Sequence, residues 1–180
     1  MNPAVPEPSP RTAPKPAGQD DAGPTGAAPK PGADCALASR EEVLDALNEL
    51  LEAERAGARV AMETAREIPP SALASLVQDI HKDEVRWCSM LMRTINVLEG
   101  APSSATGAFW GKAMAIPDLE QRLSFLNRGQ AWVVRRLSAL IPRIQDAQVQ
   151  ADLSAMLEAH HINIERVDTR KAVDPRAERG

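Results

Sequence analysis

The chain has 180 residues, with 21 Lys and Arg against 25 Asp and Glu and a formal net charge of −4. Its basic residues are scattered and only 3% of residues are aromatic, which argues against a nucleic-acid surface of basic stripes and stacking rings. No stretch approaches the roughly 18 apolar residues of a membrane span. Two cysteines, Cys35 and Cys88, make no disulfide framework, so a cytoplasmic protein with neither nucleic-acid nor membrane partners is expected.

Residues 1–38 are mostly Pro, Ala, Gly and charged residues, as in PEPSPRTAPKP and GPTGAAPKPG. Such a segment offers little apolar surface to offset its ordering entropy, so a disordered, partly polyproline-like tail is predicted. It holds no apolar run and does not read as a cleavable signal peptide. Its PEPSP and PKP elements suit tethering or a protein partner, without the flanks that would specify one.

From Ser39 to about residue 170 the pattern is helical, and residues 171–180 read as a flexible C-terminus. SREE at Ser39–Glu42 is a capping box that opens the first long helix, whose face runs through Leu47, Leu51, Ala58, Ala61 and Ala65 to Pro69-Pro70. The second runs from Ser71 through Leu73, Leu76, Ile80, Leu91 and Leu98 to Gly100. The third opens at Asp118 and continues through Leu123, Leu126, Val133, Leu137 and Leu140 to Pro142. The fourth opens near Asp146 and continues through Leu153, Leu157, Ile164 and Val167. Short connections make helices one and two, and helices three and four, antiparallel hairpins. The connection from Gly100 to Pro117 is long enough to return along a bundle, with a short helix around Phe109-Trp110. The expected fold is an all-α antiparallel four-helix bundle of two hairpins joined by a long crossover, with a plain up-down bundle as the alternative.

Each apolar seam is interrupted near its middle by a polar residue: Glu54, Glu84, Gln130, and the group Glu158, His160 and His161. Glu54 lies fifteen residues before Pro69 (69 − 54) and Glu84 fifteen after it (84 − 69). Gln130 lies fourteen before Ile144 (144 − 130) and Glu158 fourteen after it (158 − 144). At about 1.5 Å per residue, equal offsets in antiparallel hairpins mean equal heights. Glu54 should therefore face Glu84, and Gln130 should face Glu158 and His161. Converging carboxylates in an apolar bundle repel one another and are costly to bury unless paired, protonated or bound to a cation.

The segments ELLEAERAG, DEVRWCSML and LEAHHINIERV resemble the ligand helices of the ferritin-like, rubrerythrin-type superfamily. The resemblance spans about residues 39–170. Carried over by position, it implies Glu54, Glu84, Glu158 and His161 as metal ligands, with His81, His160 and Gln130 as alternates. Trp87 stands where that pattern has a histidine and Gln130 where it has a glutamate, so the ligand set is incomplete for a di-iron centre. Indole nitrogen only donates. The resemblance thus implies an atypical member holding one iron or manganese, or a partial di-metal centre, with zinc also compatible. It also implies a homodimer and, if the protein is an enzyme, a metal-dependent oxidoreductase. The alternative is a metal-free bundle acting as a scaffold through its surface and tail.

Several of these residues also admit a role in packing or charge balance alone. Glu54 and Glu84 could pair with Arg55, Arg86 or an Arg of a neighbouring helix. Trp87, Trp110 and Trp132 read as packing anchors, and Trp87 also as a plug in a vacated ligand position. Cys88 reads as an inert thiol. Gly129 in mid-helix costs about 1 kcal/mol relative to Ala; it reads as a point of close approach, with Trp87 as the expected neighbour. Arg128, Gly129 and Gln130 otherwise shape a pocket, with Arg128 binding an anion or neutralising a buried Glu.

Overall fold

The computed structural model describes residues 36–173, with side chains as far as Arg170. Most of the expected tail (1–35) and residues 174–180 lie outside the described residues. Residues 36–38, counted above as tail, are already fastened to the helical part. Ala38 N–H donates to the Arg143 carbonyl at 2.9 Å, and Arg143 Nε donates to the Ala36 carbonyl at 3.0 Å.

The described residues are helical, with no strand among them. No helix among them is long and apolar enough to cross a membrane. Helix α1 spans Arg40–Glu67, α2 Ala72–Val97, α3 Phe109–Met114, α4 Leu119–Leu140 and α5 Ala147–Val173, with a 3-10 turn at Ile141–Arg143 between α4 and α5. The caps are local chemistry. Ser39 Oγ accepts from Glu42 N–H while Glu42 Oε2 accepts from Ser39 N–H, the expected reciprocal box. Ser71 and Asp118 cap α2 and α4 by accepting from Ala74 and Gln121 N–H. Asp146 Oδ1 accepts from Gln148 and Val149 N–H at the start of α5. Two ends differ from those the sequence predicts. Helix α2 stops at Val97, with Glu99 rather than Gly100 in the left-handed region (φ 55°). Helix α5 runs three residues into the segment expected to be flexible, to Val173.

Helix α1 packs most extensively on α2, and α4 on α5; α1 also meets α4, and α2 meets α5. Between α2 and α4 the chain runs along α1. Ser103 N–H donates to Asn48 Oδ1 at 2.6 Å, Gly107 N–H to the Glu52 carbonyl at 3.2 Å, and Trp110 Nε1–H to Glu63 Oε1 at 3.2 Å. Arg122 of α4 then reaches Glu67 at 2.8 Å. Fifteen residues of helix, Asn48 to Glu63, is about 22 Å of travel, so the crossover returns the chain along α1, with the predicted short helix as α3.

The apolar interior has two clusters. One gathers Leu47, Leu51, Leu91, Leu137 and Leu153; the other gathers Val60, Ala61, Val77, Ile80 and Leu123. In each long helix a buried polar residue falls between the two: Glu54 in α1, Glu84 in α2, Gln130 in α4 and His160 in α5.

Candidate metal centre

Glu54 is fully buried (0% exposed), and Glu84 and His160 are 4% and 2% exposed. One donor atom of each lies within 4.8 Å of the others, making a cluster of two carboxylates and one imidazole. Hairpin symmetry about Pro69-Pro70 brings the glutamates together, as the equal offsets require. Gly57 makes the approach possible. A Cβ at that position would lie 2.6 Å from Glu84 Oε2 and 2.8 Å from Glu84 Cδ, so the carboxylate rests over bare backbone one turn beyond Glu54.

The imidazole is oriented by its own helix. His160 Nδ1 lies 2.9 Å from the Met156 carbonyl. A carbonyl only accepts, so Nδ1 carries hydrogen, and in its neutral form the ring presents the Nε2 lone pair to the cluster. Nε2 is 3.3 Å from Glu54 Oε1. Lone pair facing carboxylate is repulsive unless a proton or a cation lies between them. As a hydrogen bond, 3.3 Å is long against the usual range of roughly 2.7–3.2 Å. Two donors about 2.1 Å from one cation sit about 3.0 Å apart at a right angle and about 3.4 Å apart at the tetrahedral angle. The observed separation fits that window.

The electrostatics agree. Burial pushes Glu54 up to about 8 from 4.5, opposed by a hydrogen bond with the Glu84 carboxyl and helped by the charge of Asp83. Glu84 is raised well above the carboxylate range, first by burial and then by Glu54. Outside the cluster itself, neither Glu54 oxygen has a hydrogen-bond donor among the described residues. The arginines that could have neutralised the pair point elsewhere. Arg55 donates to the Ser103 and Ala105 carbonyls, Arg86 lies 4.5 Å over the Trp87 ring, and Arg128 lies 5.3 Å from the Phe125 ring. Two buried carboxylates with no arginine turned toward them, and the His160 imidazole beside them, are an arrangement that a divalent ion neutralises.

Residues 41–169 match a family model described as "Domain of unknown function (DUF6306)". The chain belongs to that family. No curated protein and no solved structure matches it. The family's description carries no activity.

On α5 the structure corrects the sequence-based expectation. The buried series is Val149, Leu153, Met156, His160, Asn163 and Val167, so the seam passes Met156 rather than Leu157. Moving one residue along a helix turns a side chain by about 100°. His160, an alternate in the sequence pattern, is therefore the inward-facing histidine, and Glu158 and His161 are exposed. His81 is outside the cluster, half-buried, with Nδ1 3.0 Å from the Ala58 carbonyl. Gln130 is 3% exposed, and both its amide atoms lack a partner. Trp87 is a buried part of the first apolar cluster. Burial, followed by the charges of Glu54 and Glu84, pushes the Cys88 thiol up to about 12, which disfavours the thiolate that a nucleophile needs. Gly129 does admit a bulky neighbour, but that neighbour is Phe109 of α3, whose Cζ would lie 2.7 Å from an added Cβ.

A cleft of about 490 Å³ leads to this layer from the side of α1, α3 and α4, and its lining includes Gly57, Glu84 and Gln130. Arg128, Gly129 and Gln130, read from the sequence as shaping a pocket, are among its lining, while the walls from α1 and α3 come from tertiary contacts that no sequence pattern announces.

Proposed function

We propose that the protein binds one divalent metal ion, iron or manganese, through Glu54, Glu84 and His160. The observation that carries this is the convergence of two buried carboxylates and the His160 imidazole within 4.8 Å, with the Glu54 oxygens given no donor from outside the cluster among the described residues. Two carboxylates and a neutral imidazole balance a +2 ion, and this mixed oxygen and nitrogen set suits iron or manganese, with zinc also compatible. Gln130, in place of a further glutamate, keeps the charge count at that of a single ion. In the protein, the Met156 carbonyl fixes the His160 tautomer, Gly57 makes room for Glu84, and the two apolar clusters exclude water above and below. When bound, the metal would supply redox or oxygen-related chemistry, as the ferritin-like resemblance implies.

On the same resemblance we read the architecture as an antiparallel four-helix bundle with a ferritin-like crossover. Its support is the pairing of α1 with α2 and α4 with α5, the crossover along α1, and cross-helix bonds whose order fits that arrangement. Asn163 and Arg166 of α5, for example, bond Asp83 and Asp79 of α2 in reversed order.

Titration of the chelator-stripped full chain with Mn2+, followed by the loss of the free aqueous ion's electron paramagnetic resonance signal, tests the metal reading. About one site per chain in the wild type, weakened at least tenfold in Glu54→Gln, is the expected result. A folded chain that takes up neither Mn2+ nor Fe2+ would instead support the metal-free scaffold.

A further inference from the structure

The cleft over the metal layer sets an aromatic wall beside an unfilled amide. Its volume of about 490 Å³ lies within the range of roughly 300–1,000 Å³ typical of small-molecule sites. The wall is the stacked pair Phe109 and Phe125, with centroids 4.8 Å apart. Phe109 packs over Gly129, where an added Cβ would meet its ring at 2.7 Å, so the wall stands next to the residue that follows, Gln130. Gln130 also lines the cleft and is only 3% exposed, and neither its amide oxygen nor its nitrogen has a partner among the described residues. A buried amide with acceptor and donor both unfilled is costly to leave bare, and it is met in full by a group that offers a donor and an acceptor together.

The charges around the cleft select no sign. Glu49, Glu52 and Glu84 line it, and so do Arg128 and Arg135. Glu49 pairs with Arg136, Glu52 accepts from Ser103 Oγ, and Arg128 lies over the Phe125 ring. Among the described lining residues, only Gln130 has buried side-chain atoms without a partner. The amide, rather than any charge, is therefore the polar feature that a ligand would satisfy.

We infer that this cleft binds a neutral primary carboxamide carried on a flat apolar body. Its amide edge pairs with the Gln130 amide through one donated and one accepted hydrogen bond, and its body lies along Phe109 and Phe125, where flat rings gain offset stacking. A ketone offers an acceptor alone and leaves the Gln130 oxygen unfilled. A carboxylate or an ammonium brings a charge whose desolvation no single group of the lining offsets. None of this depends on the metal reading above.

The test uses the full chain in chelator, so that the outcome is independent of metal binding. Benzamide is titrated by calorimetry, with three controls: acetophenone, which has a methyl in place of the amide nitrogen, and the charged benzoate and benzylamine. Expected is saturable benzamide binding at one site, about tenfold or more tighter than any control and abolished in Ala108→Trp, which fills the lip of the cleft from an exposed position. Gln130→Leu removes the unfilled amide at nearly constant volume. In that variant the preference for benzamide over acetophenone should vanish, while the melting temperature holds or rises. Absence of saturable binding, a control that binds as tightly as benzamide, or a preference that survives in Gln130→Leu would each overturn the inference. A Gln130→Leu chain that melts markedly lower would mean that the amide is already satisfied within the protein, and would overturn it too. If benzamide binds but Mn2+ does not, the metal reading fails and this one stands; the reverse result sinks this one alone.

Discussion

Replacing Gly57 with Ala should separate the site from the fold. The added methyl would sit 2.6 Å from Glu84 Oε2, 2.8 Å from Cδ and 2.9 Å from Oε1. Ordinary carbon–oxygen contact begins near 3.4 Å, so the carboxylate must retreat by about 0.8 Å (3.4 − 2.6). A working metal site holds its donor distances to within about 0.2 Å, so that retreat takes Glu84 out of reach. The fold should be indifferent. The atoms displaced are the far end of a flexible side chain, and Gly→Ala in mid-helix is worth about 1 kcal/mol in favour of the helix. The melting temperature in chelator should therefore hold or rise, while the Kd for Mn2+ weakens at least tenfold. A Gly57→Ala protein that binds Mn2+ like the wild type would rule out Glu84 as a ligand. A variant that fails to fold would mean that the Glu84 side chain cannot yield to the methyl.

Further outcomes follow from the same geometry. In chelator, Glu54 titrates near 8 in the folded chain against 4.5 when unfolded, so its contribution is complete below about pH 4.5 and is lost as pH rises through 8. Urea melts should show stability falling from pH 5 to 8 and a flatter profile in Glu54→Gln, and equal profiles would contradict the buried carboxylate. The Cys88 thiol, held up to about 12, should resist thiol reagents at pH 8 until denaturant is added; rapid labelling of Cys88 in the native chain, read by peptide mass, would contradict its burial. Gly129→Ala pushes a methyl to 2.7 Å from Phe109 Cζ, and a rigid ring cannot yield as a carboxylate can. That substitution should cost about 1–3 kcal/mol by thermal melting, and Phe109→Leu should recover part of it; a neutral Gly129→Ala would mean that α3 does not pack there.

Much of the fold was legible in the sequence because it is local. Capping residues, proline stops and helical periodicity predict where the long helices begin and end, to within a few residues. The pairing of Glu54 with Glu84 was legible for a related reason, since a tight hairpin turns equal sequence offsets into equal heights. The inward histidine of α5 was not. His160 and His161 are adjacent, and the seam can be drawn through Leu157 or Met156. A choice of one residue rotates the face by about 100°, and only packing against the other helices decides it. Two signals were present in the residues themselves: Met156 is apolar and lies four residues before His160, and Gly57 lies three after Glu54, where a helix ordinarily has no use for glycine. The partner of Gly129 was illegible for another reason. Trp87 and Phe109 are both bulky, and which one reaches Gly129 depends on the path of the crossover along α1, fixed by Asn48, Glu52 and Glu63 in ways no periodicity reports.

The two adjacent histidines offer the sharpest discrimination, because one faces the carboxylates and the other faces solvent. Metal content of the full chain, purified without chelator or a metal-binding tag, is measured by plasma mass spectrometry for the wild type, His160→Ala and His161→Ala. About one iron or manganese per chain is expected in the wild type and in His161→Ala, and a loss of it in His160→Ala. Metal retained in His160→Ala, or lost in His161→Ala alone, would rule out a centre built on Glu54, Glu84 and His160.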